Sequence, residues 1–121
     1  NISSASAYWT GHPTVLYPAS KMAMVSFTRQ IAIQNADAGV RANTILPGLM
    51  DTPMAVDRRV EATGRTRDDI AAERDAKVPL LNKMGTGWDV ANAALFLASD
   101  EAGFITGVEL PVDGGSMARV G

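Results

Sequence analysis

The chain has no cysteine and a single histidine, His12, among its 121 residues. Disulfides, thiolate zinc sites and a cysteine nucleophile are therefore excluded, and so is a multi-histidine metal centre. A Ser-His-Asp hydrolase would have to use His12 as its base. An excess of either charge is also lacking, with 11 Lys+Arg against 13 Asp+Glu and a formal net charge of −2. A surface that tracks phosphates needs a basic excess or stripe, so nucleic acid is not expected as a partner. The longest unbroken apolar run, Ala93 to Ala98, is far too short to cross a bilayer, and no charged-then-apolar leader opens the chain. What is present, 46% hydrophobic and 20% charged residues with mean hydropathy +0.02, is the composition of one globular domain at most. A soluble, cytoplasmic setting without membrane partners is the expectation.

The chain opens Asn1-Ile2-Ser3-Ser4, without an initiator Met, as the end of a strand whose beginning lies elsewhere. It reads as a piece of a longer protein. The Asn1-Ile2-Ser3 triplet matches a glycosylation acceptor by chance.

Further along, element types alternate. A polar loop through Gly11-His12-Pro13-Thr14 leads into a helix from about Tyr17 to Ala38, with Pro18 suited to the first turn and Gly39 to the stop. At about 100° per residue, Met24, Phe27 and Ile31 fall on one side of it, and Met22, Val25, Ile33 and Ala36 lie roughly opposite. Such a helix needs cover on two faces, one from a sheet and one from a neighbouring helix or subunit. Val40 to Leu46 reads as a strand between Gly39 and Pro47-Gly48. The charged stretch 53–85 holds two expected helices, 53–63 and 67–77, the second led by Thr66 with Asp69 three residues on. It is expected to be mobile, burying little apolar surface. A helix from Gly87 to Ala98, led by Thr86 and Asp89, and a strand from Gly107 to Val112 complete the order. Strands alternating with helices predict an α/β doubly wound, Rossmann-type parallel sheet.

The informative chemistry is Tyr17 and Lys21, four apart at a helix start, with Ser4 thirteen residues before the tyrosine. The spacing i, i+4 puts phenol and ammonium on one helix face. A free tyrosine titrates near about 10, so it serves as an acid/base at neutral pH only where a neighbouring cation stabilises its anion. Lys21 and the positive end of the helix supply that stabilisation. Ser4 follows the first strand, where a doubly wound sheet places its ligand crevice, and its hydroxyl is placed to polarise the substrate oxygen.

Taken together, Asn1-Ile2-Ser3-Ser4, Tyr17-Pro18-Ala19-Ser20-Lys21, Val40-Arg41-Ala42-Asn43-Thr44-Ile45-Leu46-Pro47-Gly48, Thr52-Pro53, Phe96-Leu97-Ala98-Ser99, Ile105-Thr106-Gly107 and Val112-Asp113-Gly114-Gly115 resemble the short-chain dehydrogenase/reductase family in its classical form. The resemblance implies that residues 1–121 are the C-terminal half of a single Rossmann-type domain, with 53–85 as a substrate-covering insertion and 87–115 as a final helix–strand pair. The cofactor-binding N-terminal half, with its glycine-rich phosphate loop, is absent. It further implies an NAD(P)-dependent oxidoreductase passing a hydride between a nicotinamide cofactor and a small-molecule secondary alcohol or ketone. On that analogy Tyr17 is the general acid/base, Lys21 lowers its pKa and holds the nicotinamide ribose, and Ser4 orients the substrate oxygen. Pro47 and Gly48 form the turn beneath the nicotinamide, Gly48 because its missing side chain admits the ligand. The Met50 backbone and the Thr52 hydroxyl hold the carboxamide. Homo-oligomers, dimers or tetramers, are also implied.

NAD and NADP are not distinguished, because no G-x-G-x-x-G turn or acidic or basic selector is present. An epimerase or dehydratase of the same superfamily, and a non-catalytic oligomerisation fragment, remain alternatives. An enoyl reductase with a wider Tyr–Lys gap is disfavoured by the spacing. Other residues receive plainer readings. His12 lies on the surface or lines a substrate loop, Asn43 is a structural hydrogen-bonder, and Asp113 makes a turn. Arg58, Arg59, Arg65, Arg67, Asp68 and Asp69 form a solvated face, and Trp88 packs at a helix start.

Overall fold

The computed structural model describes residues 1–119. Strands β1 (Thr44–Pro47) and β2 (Glu109–Val112) pair in parallel, with Thr44 opposite Glu109 and Pro47 opposite Val112. Ile2 forms a parallel bridge to Ile45, where Ser3 N–H donates to the Ile45 carbonyl and Ile45 N–H to the Asn1 carbonyl, each at 2.9 Å. Three chain segments thus run side by side in one direction. Thr44, Ile45 and Leu46 are all buried although successive side chains point to opposite faces, so both faces of β1 are covered, as a parallel sheet requires. The doubly wound α/β architecture read from the sequence is the one observed.

Helix α1 (Leu16–Gln34) stops four residues earlier than expected. The Asn35 amide donates to the Ile31 carbonyl at 2.9 Å and Ala38 N–H donates to the Asp37 carboxylate at 3.0 Å. Short polar side chains that bond nearby backbone in this way compete with continuation of a helix. Gly39 then takes the left-handed conformation, φ 74°, that turns the chain toward β1. The buried stripe is Val25, Thr28 and Ala32, not Met24, Phe27 and Ile31; Phe27 is 60% exposed and Ile33 74%. Small and β-branched side chains lie against the strands, with Thr28 Oγ1 accepting from the Asn1 amide at 2.8 Å.

The strand expected from Val40 is confined to 44–47 because side chains occupy the pairing partners before it. Asn43 donates to the Ile105 carbonyl at 2.9 Å and accepts from Val108 N–H at 3.0 Å. Arg41 donates to the carbonyls of Leu97 at 2.8 Å, Ser99 at 3.1 Å and Ile105 at 3.2 Å. A guanidinium there satisfies carbonyls that the end of α4 (Gly87–Ala98) leaves without helical partners.

The charged stretch forms α2 (Asp57–Thr63) and α3 (Arg67–Asp75), both shorter than expected. Thr66 caps α3 by accepting from Asp69 N–H at 3.1 Å. The expectation of a poorly packed segment is overturned. Val56, Ile70, Val78 and Met84 form a buried cluster, with Leu49, Val60 and Ala71 against it. Each helix carries few apolar residues, but they share a face with buried Arg74, whose Nε donates to Met84 Sδ at 3.2 Å, and the other arginines of the two helices stay outside. Among those charges, Arg67 pairs with Asp51 at 2.6 Å and Asp57 at 3.2 Å, and Glu73 with Lys77 at 2.7 Å and Arg65 at 2.8 Å.

Hydrogen bonds from Lys77 and then Arg65 hold the Glu73 carboxyl down at about 2, from an ordinary 4.5. A carboxylate depressed in the folded state contributes stability that is complete above its unfolded value and is lost as pH falls. Between about pH 4.5 and pH 2, then, Glu73→Gln should flatten the fall in stability seen by denaturant titration. The difference should shrink in 1 M salt, because Glu73 is exposed. Equal slopes for both proteins at low salt would refute the assignment.

The box that starts α4 forms as expected, Thr86 N–H donating to Asp89 Oδ2 at 2.6 Å. Trp88 is 78% exposed rather than packed, because it stands half a turn from buried Leu97 on the helix. No helix among the described residues is long and apolar enough to cross a membrane.

Candidate active site

The parallel register aligns the carboxyl ends of the strands. With Ile2 level with Ile45 and Ile45 with Leu110, Ser4, Pro47 and Val112 end at one height. Ligand crevices of open α/β sheets lie outside this edge. Ser4 begins a 3₁₀ turn, Ala5–Ala7, and its Oγ accepts from Ser6 N–H at 3.1 Å and from Ser6 Oγ at 2.9 Å. A hydroxyl has two acceptor positions and one proton, so with both acceptors in use Ser4 is left as a donor.

That turn is stitched to the first turns of α1. Ser3 Oγ donates to the Lys21 carbonyl at 2.8 Å, and Lys21 Nζ donates to the Ile2 carbonyl at 3.3 Å. Lys21 Nζ also lies 5.7 Å from the centre of the Tyr17 ring, within the range of a cation–π contact. Two further protons of the ammonium remain available. Tyrosine and lysine thus stand together at the start of α1, bonded to the Ile2–Ser3 segment that leads into Ser4.

The loop after β1 supplies the remaining residues. Gly85 N–H donates to the Leu49 carbonyl at 3.1 Å and Asp51 N–H to the Gly85 carbonyl at 2.8 Å. In a parallel bridge these flanking groups face the partner, so the N–H and C=O of Met50 itself point the other way. Thr52 Oγ1 accepts from Ala55 N–H at 3.3 Å and keeps its proton to donate. An amide that presents one acceptor and two donors would find complementary groups on Met50 and Thr52. The residues therefore fit a nicotinamide carboxamide.

Gly48 is required to be small by the fold itself. A Cβ at this position would lie 2.6 Å from Asp113 Cβ and 2.7 Å from Asp113 Cα. This close approach is to the residue that follows β2. Asp113 is itself buried, and its carboxylate accepts from Gly115 N–H at 2.9 Å and Met117 N–H at 2.7 Å. A cleft of about 580 Å³ lies against this turn, bounded by Leu80, Met84, Gly85 and Gly114, and none of Ser4, Tyr17 or Lys21 lines it.

Two features have no sequence signal. His12, half-buried, stacks on Tyr17 with ring centres 5.3 Å apart and 24° between planes. Tyr8 donates to Glu109, which is paired with Arg29. Burial, then the Glu109 carboxylate, push the Tyr8 phenol above its ordinary 10, so this tyrosine is a poor base. Its partner stands 101 residues away, beyond any local pattern.

Residues 1–117 match the family described as enoyl-(acyl carrier protein) reductase. The chain is 41% identical over 115 residues to the 2,5-dichloro-2,5-cyclohexadiene-1,4-diol dehydrogenase LinX of Sphingobium indicum, covering 95% of this chain and 42% of that protein. The chain thus spans less than half the length of this curated relative. Among solved structures it resembles a short-chain dehydrogenase/reductase from Burkholderia xenovorans described as putative, with TM-score 0.87 and 45% identity, over 100% of this chain and 46% of that one. It also resembles ElxO with NADP bound, with TM-score 0.84 and 29% identity, over 98% of this chain and 46% of that one.

Proposed function

Because the chain belongs to the short-chain dehydrogenase/reductase family, we propose that it carries the proton-transfer residues of an NAD(P)-dependent oxidoreductase acting on a secondary alcohol or ketone. The observation that carries this reading is the placement of Lys21 Nζ 5.7 Å from the Tyr17 ring, on a helix bonded to the Ile2–Ser3 segment that leads into Ser4. Residues 1–121 are read as the part of a Rossmann-type domain that bears these groups. The stretch 53–85 is read as its substrate cover.

When bound, the nicotinamide supplies the hydride acceptor or donor. Met50 and Thr52 hold its carboxamide, Pro47 and Gly48 form the turn beneath it, and Lys21 holds its ribose. The Ser4 hydroxyl donates to the substrate oxygen and fixes its direction. Tyr17 takes the proton from that oxygen in oxidation and returns it in reduction. The Lys21 ammonium places positive charge beside the phenol as its negative charge develops. Exposed Phe27 and Ile33 on α1 support homo-oligomers, dimers or tetramers, and a cytoplasmic setting is part of the same proposal.

The test is steady-state assay of the intact protein with NAD(H) and NADP(H), against secondary alcohols, ketones and an enoyl thioester, with light scattering on the same preparation. Cofactor oxidation or reduction coupled to the alcohol or ketone, by an oligomer, is expected. An epimerised product without net cofactor turnover would identify an epimerase instead. Reduction of the enoyl thioester alone, or no turnover of any substrate, would overturn the reading.

A further inference from the structure

We propose that His12 is a positioning residue for the Tyr17 phenol, an inference that rests on Tyr17 being the acid/base. The need for one arises from where Tyr17 sits. α1 has no side-chain cap at its start, Val15 and Leu16 are 85% and 82% exposed, and Tyr17 is itself 39% exposed. First turns without a cap fray, and a side chain there is not held by a packed core. A proton-transfer group must nevertheless be presented in one direction, since small misplacements are costly in rate.

The loop before α1 supplies a wall. Gly11, at φ 77°, turns the chain back, and Pro13 restrains the backbone of the residue before it. His12 Nδ1 lies 3.1 Å from each of the Thr14 nitrogen, carbonyl oxygen and Oγ1. Either tautomer therefore finds a partner, as acceptor from the Thr14 N–H or as donor to its carbonyl. The imidazole so pinned stacks on the phenol, ring centres 5.3 Å apart at 24° between planes, the geometry aromatic pairs favour. Lys21 Nζ is 5.7 Å from the same ring. One neighbour supplies charge, and the other restricts the ring.

The experiment compares His12→Ala, His12→Phe, Tyr17→Phe and Tyr17→Leu in the intact protein, by kcat, by KM and by the proton resonances of the imidazole. The alanine variant should lose about three- to tenfold in kcat, with KM for the alcohol nearly unchanged. The phenylalanine variant, which can still stack, should recover most of that loss. In the wild type the His12 ring-proton signals, identified by their disappearance in His12→Ala, should carry a ring-current shift that Tyr17→Leu removes.

Wild-type kcat in His12→Ala while Tyr17→Phe is inactive would overturn the inference and leave the proposed function intact. So would a phenylalanine variant as impaired as alanine, since the imidazole nitrogens rather than its ring would then be at work. An unshifted signal in the wild type would also overturn it. Turnover retained by Tyr17→Phe would instead remove the functional reading beneath it.

Discussion

Tyr17→Phe is expected to lower kcat by about 10²–10⁴-fold, the usual contribution of a positioned acid/base. The substitution removes one oxygen. It keeps the ring that His12 stacks against and that Lys21 faces, so packing and both neighbours survive. At 39% exposure, Tyr17 should cost within about 0.5 kcal/mol of stability when its hydroxyl is deleted. A large loss of rate without a loss of fold is therefore the signature to look for, measured as single-substrate kcat beside a denaturation midpoint. A retained hydroxyl at Ser4 should still bind the substrate oxygen, so KM should move much less than kcat. If kcat of the phenylalanine variant stays near that of wild type, proton transfer belongs to another group. Tyr8 is a poor substitute, because burial and the Glu109 carboxylate raise it further from neutrality.

Gly48→Ala is expected to destabilise the folded protein by about 1–3 kcal/mol, the range for forcing a methyl group into a filled space. The added carbon would meet Asp113 Cβ at 2.6 Å and its Cα at 2.7 Å, and the second of these is backbone that cannot rotate away. Relief requires β1 and β2 to separate where Gly48 N–H donates to the Val112 carbonyl at 3.0 Å. The same movement would displace the loop that carries Met50 and Thr52, so cofactor affinity should fall with stability. Gly87→Ala is the control, since nothing lies within 4 Å of a Cβ there. Chemical denaturation of both variants decides the matter. A Gly48→Ala protein as stable as wild type, yet weak in cofactor binding, would return Gly48 to the ligand-approach role expected from its sequence.

How much of this was legible in the chain itself follows the distance over which each interaction acts. Thr66 with Asp69 and Thr86 with Asp89 are three apart, and both helix starts form where that spacing places them. Tyr17 and Lys21 are four apart, and their shared helix face is likewise a local property. The end of α1 departs from its apolar pattern because Asn35 and Asp37 bond backbone beside them, a competition that periodicity does not record. Residue type predicts that Trp88 packs, but its angle from Leu97 on α4 leaves it in solvent. Charge dominates the composition of the stretch 53–85, which by that measure predicts loose packing. Val56 before α2, Ile70 on α3, and Val78 and Met84 in the loop after it nevertheless meet to form a core.

By itself the sequence determined the alternation of strands and helices, the family and the spacing of Ser4, Tyr17 and Lys21, all of which repeat within a few residues or along ordered motifs. The tertiary structure alone decided which face of α1 is buried, that Gly48 is small because Asp113 lies against it, and that His12 reaches Tyr17. The physical reason is that these outcomes rest on contacts of shape. Asn43 meets Val108 across 65 residues, and Gly48 meets Asp113 only because two strands end at one level. Composition and period carry no record of which surfaces a fold brings together.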